Sequence, residues 1–238
     1  MKKTLTLFLL ISIFTISACA PLVNAAREPL PATEPAASVE TQIPVAVSPT
    51  EVDQPTILKL YTNSAFGLGF QYPSNWFGPD EYVSGETIRV SVGSDKVYPY
   101  GEAPEQPSEV KNSYYVVIQY TKNDQSQYWK DTYQSLLNLK DGESLSGARS
   151  LIIRVRKLDL GRFEGFEYIS TLSQTAQTDH VYGREVILID KQSNLLTISG
   201  TPNNVEISQG TEWRDVYRMI DKANLTFFHQ ILESIKIE

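Results

Sequence analysis

Few side chains in this 238-residue chain have the type and spacing that chemistry asks for. Its two histidines are far apart. His180 follows Asp179 at the start of a strand-like run, and His229 sits beside Phe228 in the last helical stretch. A catalytic triad or a histidine metal cluster needs further partners, and the sequence sets none next to either ring. A surface or helix-end histidine is the plainer reading of each. Glu164 and Glu167 lie three apart in a strand-like segment, so they point to opposite faces and are not a glycosidase pair. Arg154 and Arg156 are read as sharing one face, opposite Ile153 and Val155. With Arg162 and Arg184 they would make a small basic patch for an acidic ligand; solvated strand-face charge is the competing account. Tyr98, Tyr100, Tyr114, Tyr115 and Tyr120 lie in or beside one long loop, where exposed rings would stack on sugars or proline-rich peptides. Tyrosine as a half-buried strand former is the plainer reading. The candidate ligand-binding residues are Tyr98, Tyr100, Tyr115, Arg154 and Arg156. No G-x-S-x-G, H-E-x-x-H, P-loop, EF-hand loop or dinucleotide fingerprint occurs, so no catalytic residue, metal or cofactor is assigned. Asn224-Leu225-Thr226 matches a glycosylation sequon but falls in a helical segment.

One further reactive group is the thiol of Cys19, the single cysteine of the chain. Lys2 and Lys3 precede an apolar run from Leu5 to Ile16, and small residues, Ser17 and Ala18, follow. These are the three parts of a secretory signal, residues 1–18. The run falls short of the ~20 residues of a membrane-spanning helix. Ile16-Ser17-Ala18-Cys19 resembles the bacterial lipobox. The resemblance implies cleavage before Cys19, a diacylglycerol thioether on its sulfur, and a lipoprotein held on the extracytoplasmic side of a membrane. Two or more acyl chains anchor stably where one is marginal. The alternative is a secreted protein with an incidental free thiol. Either way no internal disulfide can form, so the folded part rests on its core alone.

Charge narrows the partners. The formal net charge is −7, and without Lys2 and Lys3 it is −9. An acidic domain is not built to hold nucleic acid or anionic headgroups by charge. Attachment to the membrane then falls to the lipid, and the remaining partner is an unidentified envelope protein or complex. After Cys19, residues 20–55 carry prolines at 21, 29, 31, 35, 44, 49 and 55 and no aromatic residue. Such a stretch cannot bury enough surface to offset its conformational entropy, so residues 19–55 read as a disordered tether. Fully extended it would reach ~110 Å, and as a flexible coil ~35 Å.

Residues 56–238 form the globular domain that must position any site. Strands are expected at 57–61, 66–72, 86–92 and 114–120, then as a meander at 151–158, 163–172, 181–190 and 195–200. Phe66, Leu68, Phe70 and Tyr72 share one face by the period of two. The residues from Gly93 to Ser113, with Pro99, Pro104 and Pro107, read as a long loop. Ser126 to Leu139 predicts a helix with Trp129, Tyr133, Leu136 and Leu137 as its stripe. Residues 212–234 predict a second helical region with stripes Trp213, Val216, Tyr217, Ile220 and Leu225, Phe228, Leu232, broken in two at Ala223-Asn224. The expected class is α+β, an antiparallel sheet flanked by helices.

Two stretches carry a family pattern. One is Phe66-Gly67-x-x-Phe70-x-Tyr72-Pro73-x-x-Trp76. The other is Leu195-Leu196-Thr197-Ile198-Ser199-Gly200-Thr201 with the ending Phe228 to Ile237. Together they resemble the PsbP-like domain family across residues 57–238. The resemblance implies an α-β-α sandwich in which Phe70 and Trp76 are core anchors and Pro73 ends a strand. Members in oxygenic phototrophs are extrinsic subunits that support the calcium and chloride of the water-splitting site, and no ion-binding residue is carried over to this chain. The reading of the whole is a non-enzymatic, lipid-anchored module that binds or stabilises a partner complex. A small-ligand or glycan-binding module using the aromatics of 98–120 is the alternative, and a cryptic hydrolase with residues assembled from distant strands the third.

Overall fold

Period-two burial builds nearly all of the domain. The computed structural model describes residues 57–102, 110–173 and 180–238, all within the chain's compact unit Ser48–Glu238. The expected signal (residues 1–18), Cys19 and the expected tether (residues 19–55) lie outside the described residues. Strands β1 (Leu58–Asn63), β2 (Leu68–Pro73), β3 (Phe77–Ser84), β4 (Thr87–Gly93) and β5 (Ser113–Thr121) come first. Helix α1 (Gln127–Leu137) follows, then β6 (Ser144–Ser146), β7 (Ser150–Leu160), β8 (Phe163–Ser173), β9 (His180–Ile189) and β10 (Leu195–Asn203). Helix α2 (Trp213–Ser234) and the two-residue strand β11 (Lys236–Ile237) end the chain.

The strands form an eight-stranded sheet in the order β3-β4-β5-β10-β9-β8-β7-β6 and a three-stranded sheet in the order β1-β2-β11. Every pairing among them is antiparallel. The expected meander is present as β7 to β10, each strand next to its sequence neighbour. Alternation decides which side chains meet which helix. Val90, Ile118, Ile198 and Leu188 face α2, whose Phe228, Ile231 and Leu232 are almost wholly buried with them. Phe166, Tyr168 and Ile187 face the other way, against Leu136, Tyr133 and Trp129 of α1. The two helices thus lie on opposite faces of the large sheet. Phe66, Leu68, Phe70 and Tyr72 share the core face as expected, and Trp76 is buried behind them.

Five elements differ from the expectation. Strand β3 was not expected, since Gly78-Pro79 and the charges Asp80 and Glu81 leave it no apolar period of two. It is an edge strand with seven of its eight residues exposed, and a register shift between Phe77 and Asp80 accommodates the proline. Strands β6 and β11, of three and two residues, are too short to show any period. Helix α2 is unbroken through Ala223-Asn224. Alanine is the best helix former, and Asn224 Nδ2 donates to the Ile220 carbonyl at 2.9 Å. In α1 only Leu136 is buried, while Leu137, expected in the same stripe, turns outward and is half exposed.

Candidate functional site

The arginines on β7 do not share a face. Arg154 pairs with Tyr168 and Arg156 with Glu167, so Val155 is an extra residue that switches the alternation between them. Sequence spacing cannot show a bulge, and this one sends the two guanidiniums to opposite sides of the sheet. Arg154 turns to the α1 side. It donates to the carbonyls of Leu136 and Leu139 past the helix end, pairs with Asp141 at 2.9 Å, and lies 4.5 Å over the Phe166 ring. It ties down α1 and is not a ligand arm. Arg156 turns to the α2 side, where it enters a cluster of charges.

That cluster is the most concentrated chemistry among the described residues. Glu167 of β8 is fully buried. Its carboxylate accepts from Arg156 Nε at 2.6 Å, Arg184 Nη1 at 2.5 Å and His229 Nε2 at 3.1 Å. Asp221, inside α2, is also buried and accepts from Arg184 Nη2 at 2.7 Å, Tyr114 Oη at 2.9 Å and Tyr182 Oη at 3.1 Å. Arg184 therefore bridges two carboxylates, and four full charges balance in pairs. Gly200 makes room for this. A Cβ there would stand 2.3 Å from Tyr114 Oη and 2.7 Å from the Phe228 ring. Burial alone would raise the pKa of Glu167, but hydrogen bonds from His229 and Arg156, and then Arg184, outweigh it and hold the carboxyl at about 2. Desolvation, then the neighbouring Asp221 carboxylate, pushes the Tyr114 and Tyr182 phenols well above their ordinary range. A general base needs a pKa near the operating pH and a free lone pair. Glu167 is committed on both counts, so this cluster is a clamp between sheet and helix.

The opposite face is arranged differently. Helix α1 covers one end of it, in an apolar cluster with Phe166 of β8, Ile187 of β9 and Leu195 of β10. Across the middle, strand pairing lays out two rows of neighbours, Arg89–Gln119–Thr197–Ile187 and Ser91–Val117–Ser199–Glu185–Tyr168. At ~4.8 Å per strand the second row runs about 19 Å. Val117, Ser199 and Glu185 in its middle are partly exposed, while Ser91 and Tyr168 at its ends are buried. At one end Arg89 lies 4.4 Å over the ring of Tyr100, which packs on Tyr82 with ring centres 4.8 Å apart. At the other end the Glu185 carboxyl folds over the bare backbone of Gly183 and accepts one hydrogen bond, from Ser199 Oγ at 2.8 Å. Burial pushes its pKa up to about 7, and the Ser199 bond only partly offsets the rise. A carboxyl that changes charge near neutrality beside an open polar surface can donate or accept a hydrogen bond from a partner.

The expected aromatic residues divide between these surroundings. Tyr100 is 52 % exposed and belongs to the open face. Tyr98 is half-buried in the same loop. Tyr115 is on the open face too, but its ring lies against Gly93 and its hydroxyl is fixed on the Lys96 carbonyl at 2.7 Å. Burial, then the nearby Asp95, raises its pKa to about 12. Tyr114 and Tyr120 are core residues. His180 stacks on Trp213 at 4.2 Å, and His229 joins the clamp, so neither is a lone surface imidazole. Asp221, Glu185 and Arg89 were not foreseen. For Asp221 a signal existed, since a carboxylate follows Ile220 within the buried stripe of α2. Glu185 and Arg89 read as ordinary alternating strand charges.

Among the described residues no group of three or more His, Cys, Asp or Glu is placed to hold a metal ion, and no helix is long and apolar enough to cross a membrane. No protein-family model matches the chain, and no curated protein matches it.

Proposed function

We propose that this chain is a lipid-anchored, extracytoplasmic binding module that stabilises a partner complex in the bacterial envelope and has no catalytic activity of its own. The observation that carries the reading is the contrast across the sheet. The α2 face spends its charges on internal pairing, while the other face presents Arg89, Gln119, Ser199 and Glu185 in register with little internal use. The lipobox pattern at Ile16 to Cys19 supports attachment through a lipidated Cys19. Helices on opposite faces of one antiparallel sheet support a PsbP-like α-β-α sandwich. Mild crosslinking in native membranes, followed by capture of the full chain, tests the proposal. One defined membrane complex is expected, lost in Cys19→Ala and weakened in Arg89→Glu. Substrate turnover by the purified chain, abolished by replacing Glu185, would overturn it.

A second reading is a small-ligand or glycan site, favoured by the Tyr82–Tyr100–Arg89 stack at the rim of the same face. It predicts saturable quenching of intrinsic fluorescence by cell-wall sugars, lost in Tyr100→Ala. A flat titration removes it.

A further inference from the structure

Strand β7 is eleven residues long, but its outer neighbour β6 pairs only with Leu151, Ile152 and Ile153. Gly142 and Glu143 extend that pairing to Arg154 through two backbone bonds of 2.8 and 3.0 Å. Beyond them, no described strand meets the outer side of residues 155–160. An open edge of six residues is a template for another strand unless something blocks it.

The direction of the free groups follows from the hairpin. Gly161-Arg162 is a two-residue loop, so its closing pair, Leu160 and Phe163, exchanges both backbone bonds. Counting back, Leu158 and Arg156 also bond inward to β8, and the N–H and C=O groups of Lys157 and Asp159 point outward. Their side chains are exposed, and they carry opposite charges.

Asp159 has no ion-pair partner among the described residues. The residue across from it in the hairpin is Glu164, a like charge that opposes pairing. Lys157 leans toward Glu164, at 3.9 Å. Among the described residues of a single copy Asp159 is therefore uncompensated.

We infer that the open edge of β7 pairs with β7 of a second copy of this chain, antiparallel and two-fold symmetric about Leu158. In that register Lys157 stands opposite Asp159 of the second copy, and Asp159 opposite its Lys157. Both are mutually bonded pairs, so four backbone hydrogen bonds and two ion pairs form together. The symmetry makes the contact isologous and closed. The slot also fits in length. The partner's hairpin turn ends opposite Val155, just where residues 142–143 of the first copy begin to cover Arg154. The Lys-Leu-Asp order opposes most other strands, because an edge lysine repels or strands an unpaired charge, yet it matches itself.

Sedimentation of the full chain carrying Cys19→Ser, so that no acyl chain drives association, tests this directly. A reversible dimer is expected at micromolar concentration. Asp159→Lys puts like charges across both pairs and is expected to weaken the dimer at least tenfold. It also gives Glu164 a cation within its own copy, so its urea midpoint should hold or rise and misfolding will not mimic the loss. Combining Lys157→Asp with Asp159→Lys restores opposite charges and should restore the dimer. A chain that stays monomeric, a dimer indifferent to Asp159→Lys, or a double variant that fails to recover would each overturn the inference.

Discussion

Glu167 and Glu185 stand on neighbouring strands of one sheet, point to opposite faces, and are pushed in opposite directions. Both are removed from water, which by itself raises a carboxyl's pKa. Glu167 then receives two guanidiniums and an imidazole and falls to about 2. Glu185 receives a single hydroxyl and rises to about 7. The difference is partner supply, not burial. Where a helix closes over the sheet, a carboxylate is kept only with a full set of donors. On the α1 face, one partly exposed carboxyl is left with a single donor.

The strongest break of this contrast is Glu167→Ala. It leaves Arg184 and Arg156 facing a void, and losing one member of a buried pair costs about 3–5 kcal/mol. The urea midpoint should drop accordingly; a loss within experimental error would show the clamp to be idle. The milder Glu167→Gln isolates the pH term. The folded-state pKa lies below the ordinary 4.5, so the stabilisation is present above pH 4.5 and is lost as pH falls toward about 2. The native chain should show that acid limb and the Gln variant should lack much of it.

Glu185→Gln should act with the opposite sign. Here the folded pKa is raised from 4.5 to about 7. Between those values the native state binds more protons than the unfolded one, so stability declines as pH rises through the window. Replacing the carboxyl by an amide removes that penalty. The variant should match the native chain at about pH 4 and exceed it by roughly 3 kcal/mol at about pH 8. Denaturation at the two pH values decides, and equal stabilities at both would mean that Glu185 is well solvated.

Gly200→Ala probes the covered face through space. Its Cβ would meet Tyr114 Oη at 2.3 Å and the Phe228 ring at 2.7 Å. Overpacking of a tight core costs about 1–3 kcal/mol. Gly142→Ala is the control without overpacking, since nothing stands within 4 Å of its Cβ position and any loss there reports the backbone strain of its φ of 83°.

What the sequence shows of this molecule follows from how far each signal reaches. The meander and the Phe66-to-Trp76 segment are legible because burial on one face imposes a local period of two. Helix α2 is legible for the same reason at 3.6. The clamp is not, because Tyr114, Glu167, Arg184 and Asp221 come from four elements, and nothing local to any of them states that they converge. The Arg154/Arg156 error is instructive in another way. The period itself is right on both sides of Val155, and one inserted residue reverses its consequence. Strand β3 fails because an exposed edge has no buried face to impose a pattern.

The finest test sharpens the comparison at Ser199. Its hydroxyl is the single donor that lowers the pKa of Glu185, at 2.8 Å. A neutral hydrogen bond is worth about 1 kcal/mol net, which is somewhat under one pKa unit. Ser199→Ala should therefore raise the Glu185 pKa further by less than a unit, read by carboxyl carbon NMR titration, and leave Glu167 untouched on the other face. If the Glu185 titration does not move, the hydroxyl is already exchanged for water and the open face is wetter than its packing indicates. If Glu167 moves as well, the two faces are coupled through the strands, and the partner-supply account of their difference fails.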